Sequence, residues 1–256
     1  MPLHLTKSRR NKLPQSFYND ECQNPIDASF IRRVCFGRIV FWRCSMFEIG
    51  GKQIPATLAE LVEPKRAALL LWDMENAIAP NAFNYQDILA NLKMLAALAR
   101  EGGVPVFYSV QTGFDLLKEE AGVWVRVRMK RAKATEPSQL LKEKEDPHDR
   151  EIVEPLKPQA KDMVFQKRRP DGFVGTDFDL MLRSNGVRTI LIGGVATEGG
   201  VEGTARSARN LGYDVVVLKD CVGSRNRELH ELALKLMEQT HFDIATSGEI
   251  ANIWRR

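Results

Sequence analysis

Cysteine is scarce in this 256-residue chain: Cys22, Cys35, Cys44 and Cys221 make no CxxC pair and have no histidine cluster beside them. That argues against a disulfide-stapled fold and against a zinc knuckle, and a reduced, cytoplasmic setting is the expectation. The histidines, His4, His148, His230 and His241, are scattered. Long apolar runs are missing too. The stretch from Val34 to Trp42 is broken by Arg38 and followed by Arg43, too short for a membrane span or a signal-peptide core, so no membrane partner is expected. Nor is there an internal repeat or a strong charge of one sign. The formal charge is +4, but residues 1–45 hold eight Lys/Arg against three Asp/Glu, which leaves the remainder near −1. The basic balance therefore implies no nucleic-acid partner for the main part of the chain.

What is present suits one compact domain: 44% hydrophobic and 27% charged residues, enough to bury a full core at this length. Composition shifts near Met46. Before it, arginines and isolated aromatics follow neither strand alternation nor helical period. Residues 1–45 are expected to be an extension, disordered or not native, with Met46 as the true start and 46–256 as the folded domain.

From residue 67 short apolar runs alternate with helical periods, the pattern of a parallel sheet covered by helices. The runs Ala67–Trp72, Val104–Val110, Met163–Gln166, Thr189–Ile192 and Val215–Leu218 read as buried strands, with Phe242–Ala245 a candidate sixth. Apolar residues at three- and four-residue spacing predict helices over Tyr85–Glu101, Asp177–Asn185, Val201–Leu211 and Arg227–Gln239. Gly102, Gly186 and Gly212 stop three of them. Residues 130–161 are charged, carry four prolines and read as a long surface loop or lid with room for one short helix.

Polar residues sit where the predicted strands end. Asp73 follows the first, Gln111 the second and Lys167 the third, while Glu198, Gly199 and Gly200 follow the fourth and open a helix. In a parallel sheet all of these meet at the carboxyl edge, where ligands bind. A helix N-terminus adds free N–H groups and positive dipole. One such residue means little, but a carboxylate, an amide, an ammonium and a helix start at successive strand ends make a plausible site.

Three of these segments resemble one family. DMEN at Asp73, QKRRPDGFVGTDFDLMLRSNGVRTILIGGVAT from Gln166 and GGVATEGGVEGTARSARNLGYDVVVLKD from Gly193 are similar to motifs of the isochorismatase-like cysteine hydrolases, a resemblance covering roughly residues 46–256. It implies a three-layer α/β/α fold on a six-stranded parallel sheet. It also implies a cis peptide between Val195 and Ala196, and an Asp–Lys–Cys triad whose Asp and Lys fall at Asp73 and Lys167. The third position departs from the pattern: Gly200 stands where the Cys belongs, which excludes a thioester mechanism there. Cys221 has no base nearby in sequence and reads as structural.

The resemblance extends to a subgroup that lacks the Cys, the isochorismatases, which carry Gly at this place and a Gln after the second strand, as Gln111 is here. They hydrolyse a vinyl ether, which needs a proton donor instead of a nucleophile. Asp73 would be that acid; burial would raise its pKa and Lys167 would lower it. Lys167 would orient a carboxylate or the water, Gln111 the enolpyruvyl group, and the amides of Glu198, Gly199 and Gly200 an anionic oxygen. The missing Cβ at Gly200 would leave room for substrate. Trp72, Arg169, Phe173, Val195 and Ala196 are further candidates for contact with the small-molecule substrate, although Arg168, Arg169 and the aromatics also fit structural roles. Members that bind a metal use histidines after the second strand; none occurs here, so neither metal nor cofactor is expected. Two other functions remain open: an amide hydrolase with an altered nucleophile, and a non-catalytic binding protein. Self-association into a homodimer or homotetramer is the expectation.

Overall fold

The computed structural model describes residues 46–113, 120–141 and 146–256; the expected extension, 1–45, lies outside the described residues. An exposed hairpin comes first, β1 (Phe47–Ile49) pairing antiparallel with β2 (Lys52–Ile54). Then follow α1 (Leu58–Leu61), β3 (Ala67–Trp72), α2 (Tyr85–Glu101), β4 (Val106–Gln111), α3 (Gly122–Ala132), β5 (Met163–Lys167), α4 (Phe178–Ser184), β6 (Thr189–Val195), α5 (Glu202–Asn210), β7 (Asp214–Gly223), α6 (Arg227–Gln239), β8 (Asp243–Ala245) and α7 (Ser247–Trp254). β3 to β8 form one sheet in the order β5-β4-β3-β6-β7-β8, parallel throughout.

The apolar runs are continuous because both faces of the sheet are covered. In β3 the pleat sends Leu69 and Leu71 to one core, with α2 residues Leu92 and Leu95 and α7 residue Ile250. Leu70 and Trp72 go to the other core, with α4 residues Phe178 and Leu182, α5 residue Ala205 and α6 residue Met237. The result is the expected three-layer fold with six parallel strands. Strand order reverses direction between β3 and β6, and that switch point is where a doubly wound sheet opens a crevice for ligand.

The structure also corrects the reading. β6 and β7 run longer than expected, to Val195 and Gly223, and a single-turn π-helix, Thr197–Val201, precedes α5. α7 and α1 were missed, although both open with a capping box, Thr246 with Glu249 and Thr57 with Glu60. The charged stretch is folded in part: α3 enters it, and a 3₁₀ turn, Pro147–Arg150, leads to a β-bridge between Ile152 and Glu75. Among the described residues no helix is long and apolar enough to cross a membrane.

Candidate active site

Asp73 leaves the end of β3 in a left-handed conformation, φ 48°, which a non-glycine residue adopts only when its surroundings hold it there. Those surroundings are visible. Its backbone N–H donates to Ser109 Oγ (3.0 Å), and the same hydroxyl donates to Asp73 Oδ1 (2.9 Å). Lys167 Nζ donates to Oδ2 at 2.9 Å. Ser109 belongs to β4 and Lys167 to β5, so the sheet order lines up three strands to make one buried group; Asp73 and Lys167 are 8% and 3% exposed. Burial pushes the Asp73 carboxyl above its ordinary range, and Lys167 and Ser109 oppose that without reversing it.

A second carboxyl lies close by. Glu75 is fully buried, accepts the Gln111 backbone N–H on Oε1, and has Arg150 Nη1 at 3.6 Å from Oε2. Burial, reinforced by the Asp73 charge, pushes it up to about 7, against the Gln111 N–H and Arg150. Arg150 also donates to Gln111 Oε1 at 3.2 Å. Its segment is pinned beside the site by Asn76 N–H to Glu151 O (2.9 Å) and Val153 N–H to Met74 O (2.9 Å). The reading passed over Glu75, although the signal was in DMEN, where a second acid follows Asp73 by two residues.

The cavity above Asp73 has a volume of about 200 Å³ and is walled by Asp73, Gln111, Lys167, Ala196, Gly199 and Gly200 on the sheet side; Glu75 does not line it. Trp124, Val127, Arg128 and Arg131 of α3 close it together with Glu120, two residues before that helix, and Arg168, Arg169 and Pro170 close it from the end of β5. Sequence alone did not single out the α3 wall, because that helix buries no residue and so shows no apolar period. Glu120 holds this wall together: its side chain is 1% exposed, takes Arg169 Nη2 at 2.9 Å and has Arg128 Nη2 at 3.7 Å. The Arg169 guanidinium lies over the Trp124 ring, 4.9 Å from its centroid. A larger cavity, about 520 Å³, lies at the opposite sheet edge beside Gly103–Val106.

Several expected contacts are not made. The Trp72 side chain is buried behind Gly200 and does not line the cavity; Lys167 Nζ sits 4.4 Å from its ring centroid. A Cβ on Gly200 would come within 2.6 Å of Trp72 Cζ2, so the space freed at this position holds the indole and not substrate. Phe173 packs on Phe178 and Tyr213, at centroid distances of 5.0 and 6.0 Å, against the core on that face of the sheet, and does not line the cavity. Val195 points into the core and Glu198 accepts from Ser224 Oγ at 2.7 Å. The Gly199 N–H donates to the Ala196 carbonyl at 3.1 Å, which removes it as a donor for an anionic oxygen. The peptide between Val195 and Ala196 is cis. Cys221 is fully buried and its thiol is pushed far up, first by burial and then by Asp220. Among the described residues no cluster of three or more His, Cys, Asp or Glu is placed to hold a metal.

A family model described as "Isochorismatase domain" matches residues 67–249. The ureidoacrylate amidohydrolase RutB of Pseudomonas syringae pv. syringae is 32% identical over 216 residues, spanning 77% of this chain and 86% of that protein. Its counterpart in Pantoea ananatis is 33% identical over 202 residues, 72% of this chain and 80% of the relative. Among solved structures, a cysteine hydrolase from Pseudomonas syringae pv. phaseolicola superposes with TM-score 0.67 at 23% identity, covering 76% of this chain and 95% of that one. The N-carbamoylsarcosine amidase from Thermoplasma acidophilum gives TM-score 0.54 at 21% identity, with 71% and 96% covered. At those identities the structures share the fold.

Proposed function

The chain belongs to the isochorismatase family and is a hydrolase, and from that premise we propose that it cleaves its substrate by proton transfer from Asp73, with water as the only attacking group. The first choice of substrate is an enolpyruvyl vinyl ether such as isochorismate. One observation carries the reading: a buried carboxyl whose pKa is raised stands in the cavity, and the position that would supply an attacking side chain is a glycine backed by an indole. Asp73 would protonate the terminal alkene carbon, the ether oxygen would stabilise the resulting cation, and water would add to it. The hemiketal then collapses to pyruvate and an alcohol, and the proton lost by the water returns to Asp73. Lys167 and Ser109 hold the carboxyl in position through both of its oxygens.

A second reading is favoured by the relatives' names: hydrolysis of a ureido compound such as ureidoacrylate. The two routes on that compound give different products. Protonation of its alkene carbon next to the carboxylate, then addition of water, yields urea and 3-oxopropanoate. Water attack on the ureido carbonyl yields carbamate and aminoacrylate.

The test is pyruvate release from isochorismate by the wild type and by Asp73→Asn. Acid catalysis of this kind contributes about 10²- to 10⁴-fold, so release should fall by that factor in the variant. Unchanged release in Asp73→Asn, or none from the wild type, would remove the vinyl ether reading. Urea without carbamate from ureidoacrylate would keep the proton-first chemistry on the second substrate.

A further inference from the structure

We propose that Arg150 and Glu75 are positioning residues for Gln111, holding its side-chain amide with the NH2 group turned to the cavity, so that the site selects a substrate with a hydrogen-bond acceptor at that wall; this rests on the cavity being the reaction site. Three contacts define the arrangement. Glu75 Oε1 accepts the Gln111 backbone N–H, Arg150 Nη1 donates to Gln111 Oε1 at 3.2 Å, and the same Nη1 lies 3.6 Å from Glu75 Oε2. A guanidinium carries donors and no acceptor, so only the oxygen end of an amide can face it. The Nε2 end is thereby turned away, and it makes no hydrogen bond to a described residue although Gln111 lines the cavity.

Arg150 reaches Gln111 because its segment is strapped to the residues that follow β3. The N–H groups of Asn76 and Ala77 donate to Glu151 O (2.9 Å) and Asp149 O (3.1 Å), Val153 N–H donates to Met74 O (2.9 Å), and Asn76 Nδ2 donates to His148 O (3.0 Å). Glu75 sits inside this strap, bridged to Ile152, fully buried, and with no hydrogen-bond partner for Oε2 among the described residues. Its side chain is therefore committed to the Gln111 backbone and to the neighbouring guanidinium. A charge-assisted bond such as Arg150 to Gln111 holds an amide about twice as firmly as a neutral one. On the sheet side of the cavity the Gly199 N–H is already spent on the Ala196 carbonyl, which leaves Gln111 Nε2 as a donor turned toward substrate. An ether oxygen or a ureido carbonyl satisfies it, whereas a substrate N–H at the same place would set two donors against each other.

Two arms test the brace. The first needs no substrate: calorimetric Tm values of the full chain carrying Arg150→Met, Gln111→Met or both. The Arg150–Gln111 bond should appear as a coupling of about 3–8 °C between the two changes. Arg150→Lys, which still donates, should cost less than half as much as Arg150→Met. Plainly additive losses of Tm would overturn the proposal. The second arm uses whichever of isochorismate and ureidoacrylate the wild type turns over. There Arg150→Met should lower kcat/KM by about 10- to 100-fold, and Arg150→Lys should restore most of it. In a Gln111→Met background the same Arg150→Met change should cost less than about 2-fold, because Arg150 acts through the Gln111 amide. Glu75→Gln, which keeps an acceptor for the Gln111 N–H, should likewise recover most of what Glu75→Leu loses. Full activity in Arg150→Met, or an equal loss with and without the Gln111 amide, would overturn the positioning role. Turnover of neither compound would remove the proposed function, and the thermal coupling would still decide the brace.

Discussion

Placing a side chain on residue 200 should unseat Trp72, at a cost set by how tightly the indole is enclosed. A Cβ at Gly200 would collide with Nε1 and Cε2 of the Trp72 indole, and even Cζ2, the third-nearest atom, would lie at 2.6 Å, at least about 1 Å inside the 3.5–4.0 Å at which carbon atoms rest against each other. The indole has little room to retreat. It is 1% exposed, the Lys167 ammonium lies 4.4 Å from its ring centroid, and a Cβ on Gly172 would already be 3.0 Å from its Cζ3. Overpacking of this kind costs about 1–3 kcal/mol, and the tightness of this seat puts Gly200→Ala near the upper end. For a domain of about 200 residues that is a fall in Tm of roughly 6–12 °C. Trp72→Val alone should cost about 3–5 kcal/mol by opening a cavity. The two changes should not add. With the ring gone, Gly200→Ala or Gly200→Cys enters the space it left, and the double variant should recover about 1–3 kcal/mol over the sum of the singles. Urea unfolding of the four proteins, followed by circular dichroism, measures that coupling. A Gly200→Ala protein within about 0.5 kcal/mol of the wild type, or a double variant whose cost is the plain sum, would refute the claim that the indole has taken the place of a residue-200 side chain.

Three further outcomes follow from the same geometry. Asp73 acts as an acid only while protonated, so kcat/KM should fall as pH rises through its raised pKa; a profile that instead climbs with pH across the neutral range would mean that Asp73 works as a base. Glu75 binds its proton more tightly folded than unfolded, up from 4.5 to about 7, so the folded state loses stability as pH rises across that window, by up to roughly 3 kcal/mol. Glu75→Gln should flatten this slope, and calorimetric Tm values at pH 4.5 and 7.5 will tell. Finally, because Cys221 is buried with its thiol pKa pushed far up, hydrolysis should survive iodoacetamide at pH 8 undiminished; proportional loss of activity with Cys221 labelling would revive a thiol mechanism.

Much of the layered fold was legible from local pattern. Tyr85–Glu101 and Arg227–Gln239 form the helices their apolar spacing predicts, and Ala67–Trp72 is the strand its continuous run predicts. Where local pattern was weak, the reading failed: α3 buries no residue, and α7 announced itself only through the capping box of Thr246 and Glu249. The motifs likewise marked Asp73, Lys167 and Gly200 before any geometry was known, because residue type at a strand end is a property of the chain alone.

What those residues do to one another was decided in three dimensions. Strand order sets β4 and β5 beside β3, and only then do Ser109 and Lys167 meet the carboxyl of Asp73. The seating of Trp72 against Gly200, the second acid at Glu75 and the arginine wall around Glu120 join segments tens of residues or more apart. The sequence by itself determined which elements form and which chemical groups stand at their ends, since hydrophobic period and residue type act over a few neighbours. The tertiary structure alone decided which groups share a low-dielectric cavity, and so which carboxyl keeps its proton, because burial and charge act across space, whatever the distance along the chain.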